Sequence, residues 1–135
     1  GPSYATRLKS RRADGTIVVR YVIHLTAGVQ VGKVGYRKDK ASAKRVTRHL
    51  GERDRIEWLV DRDQAKGFDV EVFGDTNFHH MPIAGLNGWW SVEPDASTFG
   101  PRAIDGIWTD EKPDDVDFLA ALVRGVHRHV ITTEK

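Results

Sequence analysis

Residues 16–25, Thr-Ile-Val-Val-Arg-Tyr-Val-Ile-His-Leu, decide how this chain folds. Apart from Arg20 and His24 the stretch is β-branched, aromatic or apolar, a composition that suits a pleated surface. It also lacks the strict polar alternation of a strand with one wet face. Such a run reads as a central strand with both faces covered. Immediately upstream, Ala13-Asp14-Gly15 supplies a turn that tolerates positive φ, and residues 7–12 before it are extended, so 7–25 reads as a β-hairpin. Immediately downstream, Gly28, Gly32 and Gly35 are interleaved with Val29, Val31 and Val34. Those glycines are not spaced ahead of a helix as in a nucleotide fingerprint, and the segment reads as a flexible loop.

Further along the chain, the pattern from about residue 40 to residue 66 is helical, with a break expected near Gly51. Ile56, Leu59 and Val60 form its apolar stripe, and Trp58 lies on the edge of that stripe. Residues 68–73 are a short strand running into Gly74-Asp75-Thr76-Asn77, which places polar side chains at a strand's C-terminal end, where α/β sheets build their sites. Residues 89–92 and 103–108 read as two more strands around a turn-rich loop. Pro113 suits the first turn of a helix through about residue 124, because Phe118, Leu119 and Leu122 then share a face. Residues 126–132 read as a last strand. The expected fold is one α/β domain over 1–135, a mixed sheet of about five or six strands with helices mainly on one face. Gly1-Pro2 reads as a remnant of tag removal and is set aside.

The absence of cysteine excludes disulfides and thiolate metal sites. Together with the lack of an apolar run long enough to span a bilayer, it points to a cytoplasmic protein without membrane contact. The 21 Lys and Arg nearly balance the 19 Asp and Glu, so the distribution of charge matters more than the net +2. Arg37, Lys38, Lys40, Lys44, Arg45 and Arg48 follow the central strand closely. They form a candidate phosphate-neutralising, nucleic-acid-binding stretch, or equally a solvated basic face.

Four segments carry the candidate chemistry: Ile23-His24-Leu25, Gly74-Asp75-Thr76-Asn77, Arg102-Ala103-Ile104-Asp105-Gly106-Ile107-Trp108, and Val126-His127-Arg128-His129-Val130. Alone, the second is equally a turn whose acid and amide bond nearby backbone. In this order, with intervening helices, the set resembles the C-terminal half of the endonuclease/exonuclease/phosphatase superfamily. That family has a strand ending in His-Leu, a helix, a Gly-Asp-x-Asn motif, an Arg-x-Ile-Asp segment and a closing Ser-Asp-His. The resemblance covers most of residues 16–132, with Val126 standing where the family has aspartate.

The resemblance implies a half of the four-layer sandwich fold and divalent-metal-dependent phosphodiester hydrolysis, with Mg²⁺ or Mn²⁺ as cofactor. By position, Asp75 would orient the attacking water or bind metal, and Asn77 would hold the phosphoryl group. His24 would contact phosphate or assist the leaving group, Asp105 would support the site, and His127 would be the closing histidine. The family's N-terminal half, which supplies an asparagine and the principal metal-binding glutamate, has no counterpart here. Two functions follow: a nuclease completed by another polypeptide or a dimer mate, or an inactive remnant that binds nucleic acid or protein. A half-sandwich also leaves one sheet face uncovered, so a homodimer or a protein partner is expected there. His79-His80 with His127 and His129 offer imidazoles for zinc, a weaker reading because adjacent histidines on a loop rarely converge on one ion.

Overall fold

The computed structural model describes residues 4–86, 88–90, 104–109, 115–119 and 129–134. Strands β1 (Ala5–Arg11) and β2 (Ile17–His24) form the expected antiparallel hairpin, with Ala5 opposite Ile23 and Arg11 opposite Ile17. Its turn works as the sequence implies. Gly15 adopts φ 91°, its N–H donates to the Arg12 carbonyl (3.0 Å), and the Asp14 carboxylate accepts from the Thr16 N–H (2.8 Å).

A short 3-10 turn, Lys40–Ser42, leads into helix α1 (Ala43–Ala65), which runs unbroken through Gly51. The expected break does not occur, because an exposed glycine with no neighbour within 4 Å costs the helix only about 1 kcal/mol relative to alanine. Helix α1 is the crossover that lets β3 (Asp69–Asp75) pair parallel with β2. Strand β3 also pairs antiparallel with β5 (Asp105–Thr109), which carries β4 (Gly88–Trp90) on its other side. The mixed sheet therefore has the order β1-β2-β3-β5-β4, and the chain is α/β as expected.

The C-terminal part corrects one expectation. Residues 115–119 are not helical. They form β6 (Asp115–Leu119), paired antiparallel with β7 (His129–Glu134) in a separate two-stranded ribbon. Asp-Val-Asp-Phe alternates polar and apolar residues, the period of a strand, and β7 supplies the backbone partners. The shared face read from Phe118, Leu119 and Leu122 exists only if the backbone is helical. Residues 120–128, with the start of the expected last strand, lie outside the described residues.

The two faces of the sheet differ. Toward α1, Val19, Tyr21 and Ile23 of β2 and Val70 and Val72 of β3 are buried against Ile56, Leu59 and Val60 of the helix, joined by Met81, Ile83 and Trp108. Each fully buried aliphatic side chain contributes about 1.5–3 kcal/mol. The indole N–H of Trp108 donates to the Met81 carbonyl (2.7 Å), which satisfies its polar edge in the core. On the opposite face Val18 and Ile107 are buried, but Val22 is 37% and Leu8 52% exposed. Strand β7 lies near β3 and β5, and the hairpin end of this face remains open. The expectation that both faces of β2 are buried holds at Val18 and fails at Val22.

At the end of α1 far from the C-terminal ends of β2 and β3, Asp63 is fully buried. It accepts hydrogen bonds from Arg7 Nε (3.2 Å) and Nη2 (3.1 Å) and from the Tyr21 hydroxyl. Burial pushes its carboxyl up, yet the Arg7 and Tyr21 bonds outweigh it and hold it below the usual carboxylate range. On the open sheet face, Glu71 is bridged by Arg20 (3.1 Å) and Arg12 (3.4 Å), and Arg12 also reaches Asp69 (2.6 Å).

Candidate functional site

Parallel pairing fixes the site. The β2–β3 register sets His24 beside Asp75, and the β3–β5 register sets Asp75 across from Asp105. Three segments of the sequence thus meet at one end of the sheet. His24 Nε2 lies 3.5 Å from Asp75 Oδ2, an ion-pair distance when the imidazole is protonated. The pair is lopsided in exposure: the His24 side chain is 74% exposed and that of Asp75 5%.

The turn after β3 is built to hold this acid in place. Gly74 adopts φ 134°, and a Cβ there would fall 2.2 Å from the Ile23 carbonyl oxygen, so only glycine allows β2 and β3 to approach this closely. The Asn77 N–H donates to Asp75 Oδ1 (2.7 Å), and Asn77 Nδ2 donates to the Leu25 carbonyl (2.8 Å). Asn77 itself sits at φ 53°, a conformation asparagine tolerates. The motif is therefore a turn with local side-chain bonds, as one reading of the sequence allowed. Those same bonds aim Asp75 at His24.

A buried relay from α1 locks the turn from behind. His49 Nε2 donates to the Thr76 carbonyl (2.6 Å), and its Nδ1 accepts from the Tyr36 hydroxyl (2.8 Å). A carbonyl can only accept, so the Nε2–H tautomer is the one present. Burial lowers the His49 pKa, partly countered by its bond to Thr76, and keeps the ring neutral. Phe78 packs on Tyr36, their ring centroids 4.6 Å apart, which closes the glycine-rich loop onto the site. Gln30 from that loop accepts from the His79 N–H (2.7 Å).

Beside the pair lies a cleft of about 350 Å³ lined by Tyr4, His24, Thr26, Arg48 and Glu52, with Leu25 and Ala27 completing it. Both carboxylate oxygens of Glu52 accept from Thr26, from its N–H at 2.8 Å and its hydroxyl at 2.9 Å. Neither His49, Tyr36 nor Glu52 was singled out from the sequence. The signal is present all the same: extending the Ile56, Leu59, Val60 stripe at helical spacing reaches Glu52 and His49 one way and Asp63 the other. Polar residues on a buried stripe require partners, and these have them.

The expected nucleic-acid-binding cations divide. Arg48 lines the cleft. Arg37 is paired with Asp39 (2.9 Å). Arg45 lies against Gly28, where a Cβ would fall 2.6 Å from its Nη1. Lys38, Lys40 and Lys44 are exposed. Of the expected catalytic set, His24, Asp75 and Asn77 come together. Asp105 joins them in backbone register, its side chain outside the described residues, as is the whole of His127. His79 and His80 stack on each other, centroids 4.0 Å apart.

Among the described residues no group of three or more His, Cys, Asp or Glu side chains is arranged to hold a metal ion. Asp75 is the described carboxylate placed to meet Mg²⁺ or Mn²⁺, with one oxygen turned to the Asn77 N–H and the other to His24. One such carboxylate does not make the oxygen-rich shell these ions take, so the described residues do not fit the ion by themselves. No helix among the described residues is long and apolar enough to cross a membrane. Comparison with protein-family models, with curated proteins and with solved structures found no match, so the site's geometry is what bears on function.

Proposed function

We propose that this protein is a phosphodiester hydrolase of the endonuclease/exonuclease/phosphatase kind acting on nucleic acid. The observation that carries the reading is the His24–Asp75 pair, 3.5 Å apart at adjacent strand ends, with Asn77 tied to Leu25 at its side. Asp75 is buried and held by the Asn77 N–H, so its carboxylate is fixed in position and orients the imidazole. With His24 Nε2 turned to Asp75, Nδ1 is the nitrogen left to face a phosphoryl or leaving-group oxygen. A protonated imidazole there donates as charge develops on that oxygen. Arg48, in the same cleft, adds positive charge for the phosphate. Water is the nucleophile: its oxygen bonds to phosphorus as the bond to the leaving oxygen breaks, the leaving oxygen takes the His24 proton, and the proton of the attacking water passes to solvent.

The test is cleavage of labelled single- and double-stranded DNA in Mg²⁺ or Mn²⁺ by the wild-type chain, His24→Ala and Asp75→Asn. The reading expects metal-stimulated cleavage that falls at least about 100-fold in each variant, the scale of general acid–base assistance. Cleavage equal in all three proteins, or none by the wild type, overturns it and leaves a nucleic-acid- or protein-binding module as the function. A dimer mate or protein partner on the open Leu8–Val22 face belongs to the same proposal, as the cover for exposed apolar side chains.

A further inference from the structure

The cleft next to the His24–Asp75 pair combines three chemistries that a plain anion site does not need. Arg48 is exposed and, among the described residues, enters no ion pair, unlike Arg7, Arg12, Arg20 and Arg37. It is a guanidinium left for a ligand, and its planar fork matches phosphate. Tyr4 lines the cleft and is packed in part against the core. It is half-buried and anchored through its backbone, whose carbonyl accepts from the His24 N–H (2.9 Å). Burial first, and the nearby Glu52 charge second, raise the Tyr4 phenol pKa, so the ring stays neutral. Glu52 completes the cleft. Thr26 donates twice to its carboxylate, which fixes the group in place and leaves acceptor capacity for further donors.

We infer that this cleft is a subsite for one nucleotide unit, with Arg48 on a phosphate, Tyr4 against the face of the base, and Glu52 accepting from a sugar hydroxyl or a base amino group. The volume of about 350 Å³ lies at the small end of ligand pockets, enough for one nucleotide and not for a folded oligonucleotide. A phosphate alone would use Arg48 and leave an aromatic face and a carboxylate in its path. A neutral sugar would leave Arg48 unused. The nucleotide is the ligand class that matches the cation, the aromatic face and the fixed acceptor together. Because the cleft shares His24 with the proposed hydrolytic pair, the subsite gives that activity a substrate: a nucleic-acid strand whose terminal or unstacked nucleotide enters beside the scissile phosphate. Its ligand class rests on the phosphodiester reading, and its location on the cleft's own residues.

The experiment titrates the full chain, without divalent cation, with adenosine 5′-monophosphate, ribose 5-phosphate and inorganic phosphate, following binding by calorimetry and by chemical shifts. The subsite expects the nucleotide to bind at least about fivefold tighter than ribose 5-phosphate, the lower end of a stacking contribution. Arg48→Ala should weaken it about tenfold or more, as loss of a charge-assisted bond to phosphate does. Tyr4→Ala should weaken it about tenfold and Tyr4→Phe about twofold at most, because phenylalanine keeps the face. The exposed position of Arg48 makes its variant a fair test without loss of fold. Equal affinity for all three probes, or nucleotide binding indifferent to Arg48→Ala, overturns the subsite. DNA cleavage with the subsite absent would leave the hydrolase standing, and nucleotide binding without cleavage would leave the subsite standing.

Discussion

Two buried carboxylates lie toward opposite ends of β3, Asp63 near its start and Asp75 closing it, and they are satisfied differently. Asp63 is enclosed: Arg7 and Tyr21 both point at it and its side chain is 0% exposed. Asp75 is buried to a similar degree, but its partners include a local N–H and a histidine whose own side chain is 74% exposed. The first arrangement joins β1, β2 and α1. The second leaves an imidazole exposed to solvent, backed by a buried acid. The first is an arrangement for holding the fold together; the second, with its exposed imidazole, is the one on which the proposed activity rests.

The same substitution at both ends would break this contrast or sharpen it. Asp63→Asn should cost the most, about 2–3 kcal/mol in urea unfolding. Breaking a fully buried pair costs about 3–5 kcal/mol, reduced here because Arg7 is one-third exposed. Next, His49→Leu should cost about 2 kcal/mol, because it leaves the Tyr36 hydroxyl and the Thr76 carbonyl without their partner in a buried place. Asp75→Asn should cost less than about 1 kcal/mol while removing the proposed activity, since the amide oxygen still accepts from the Asn77 N–H. Equal losses at Asp63 and Asp75 would mean the two ends do the same structural work.

Acid titration separates the ends in a second way. The folded Asp63 pKa lies below the unfolded value of about 3.9. Its contribution is therefore complete above about pH 4 and is lost as pH falls toward the folded value. Wild type should lose unfolding free energy below pH 4 more steeply than Asp63→Asn. His49 acts in a higher window. Its folded pKa lies below the unfolded value of about 6.5, so the unfolded chain takes up the proton first. The His49 contribution is complete above about pH 6.5 and declines as pH falls below it. His49→Leu, already weakened, should show a flatter profile from pH 7 to 5, the smallest of these effects; a profile parallel to wild type there would remove His49 as a titrating group.

Much of the fold was legible because it rests on local chemistry. Asp14-Gly15 turns because glycine accepts positive φ, residues 17–24 pair because they are β-branched, and residues 43–65 coil because their apolar spacing is helical. Where two local patterns competed, as in Asp-Val-Asp-Phe-Leu, the choice of strand came from the backbone partners offered by β7. Resemblance named His24, Asp75 and Asn77 together, yet not the residues that hold them.

The sequence by itself determined the hairpin, the helix and the polar turn at 74–77, since each follows from the conformational preferences of a few adjacent residues. Only the tertiary structure decided that His24 stands against Asp75, that His49 and Tyr36 brace Thr76, and that Tyr4, Arg48 and Glu52 share a cleft. These contacts join residues far apart in the chain, and their distances are set by strand register and helix packing, which no local preference encodes.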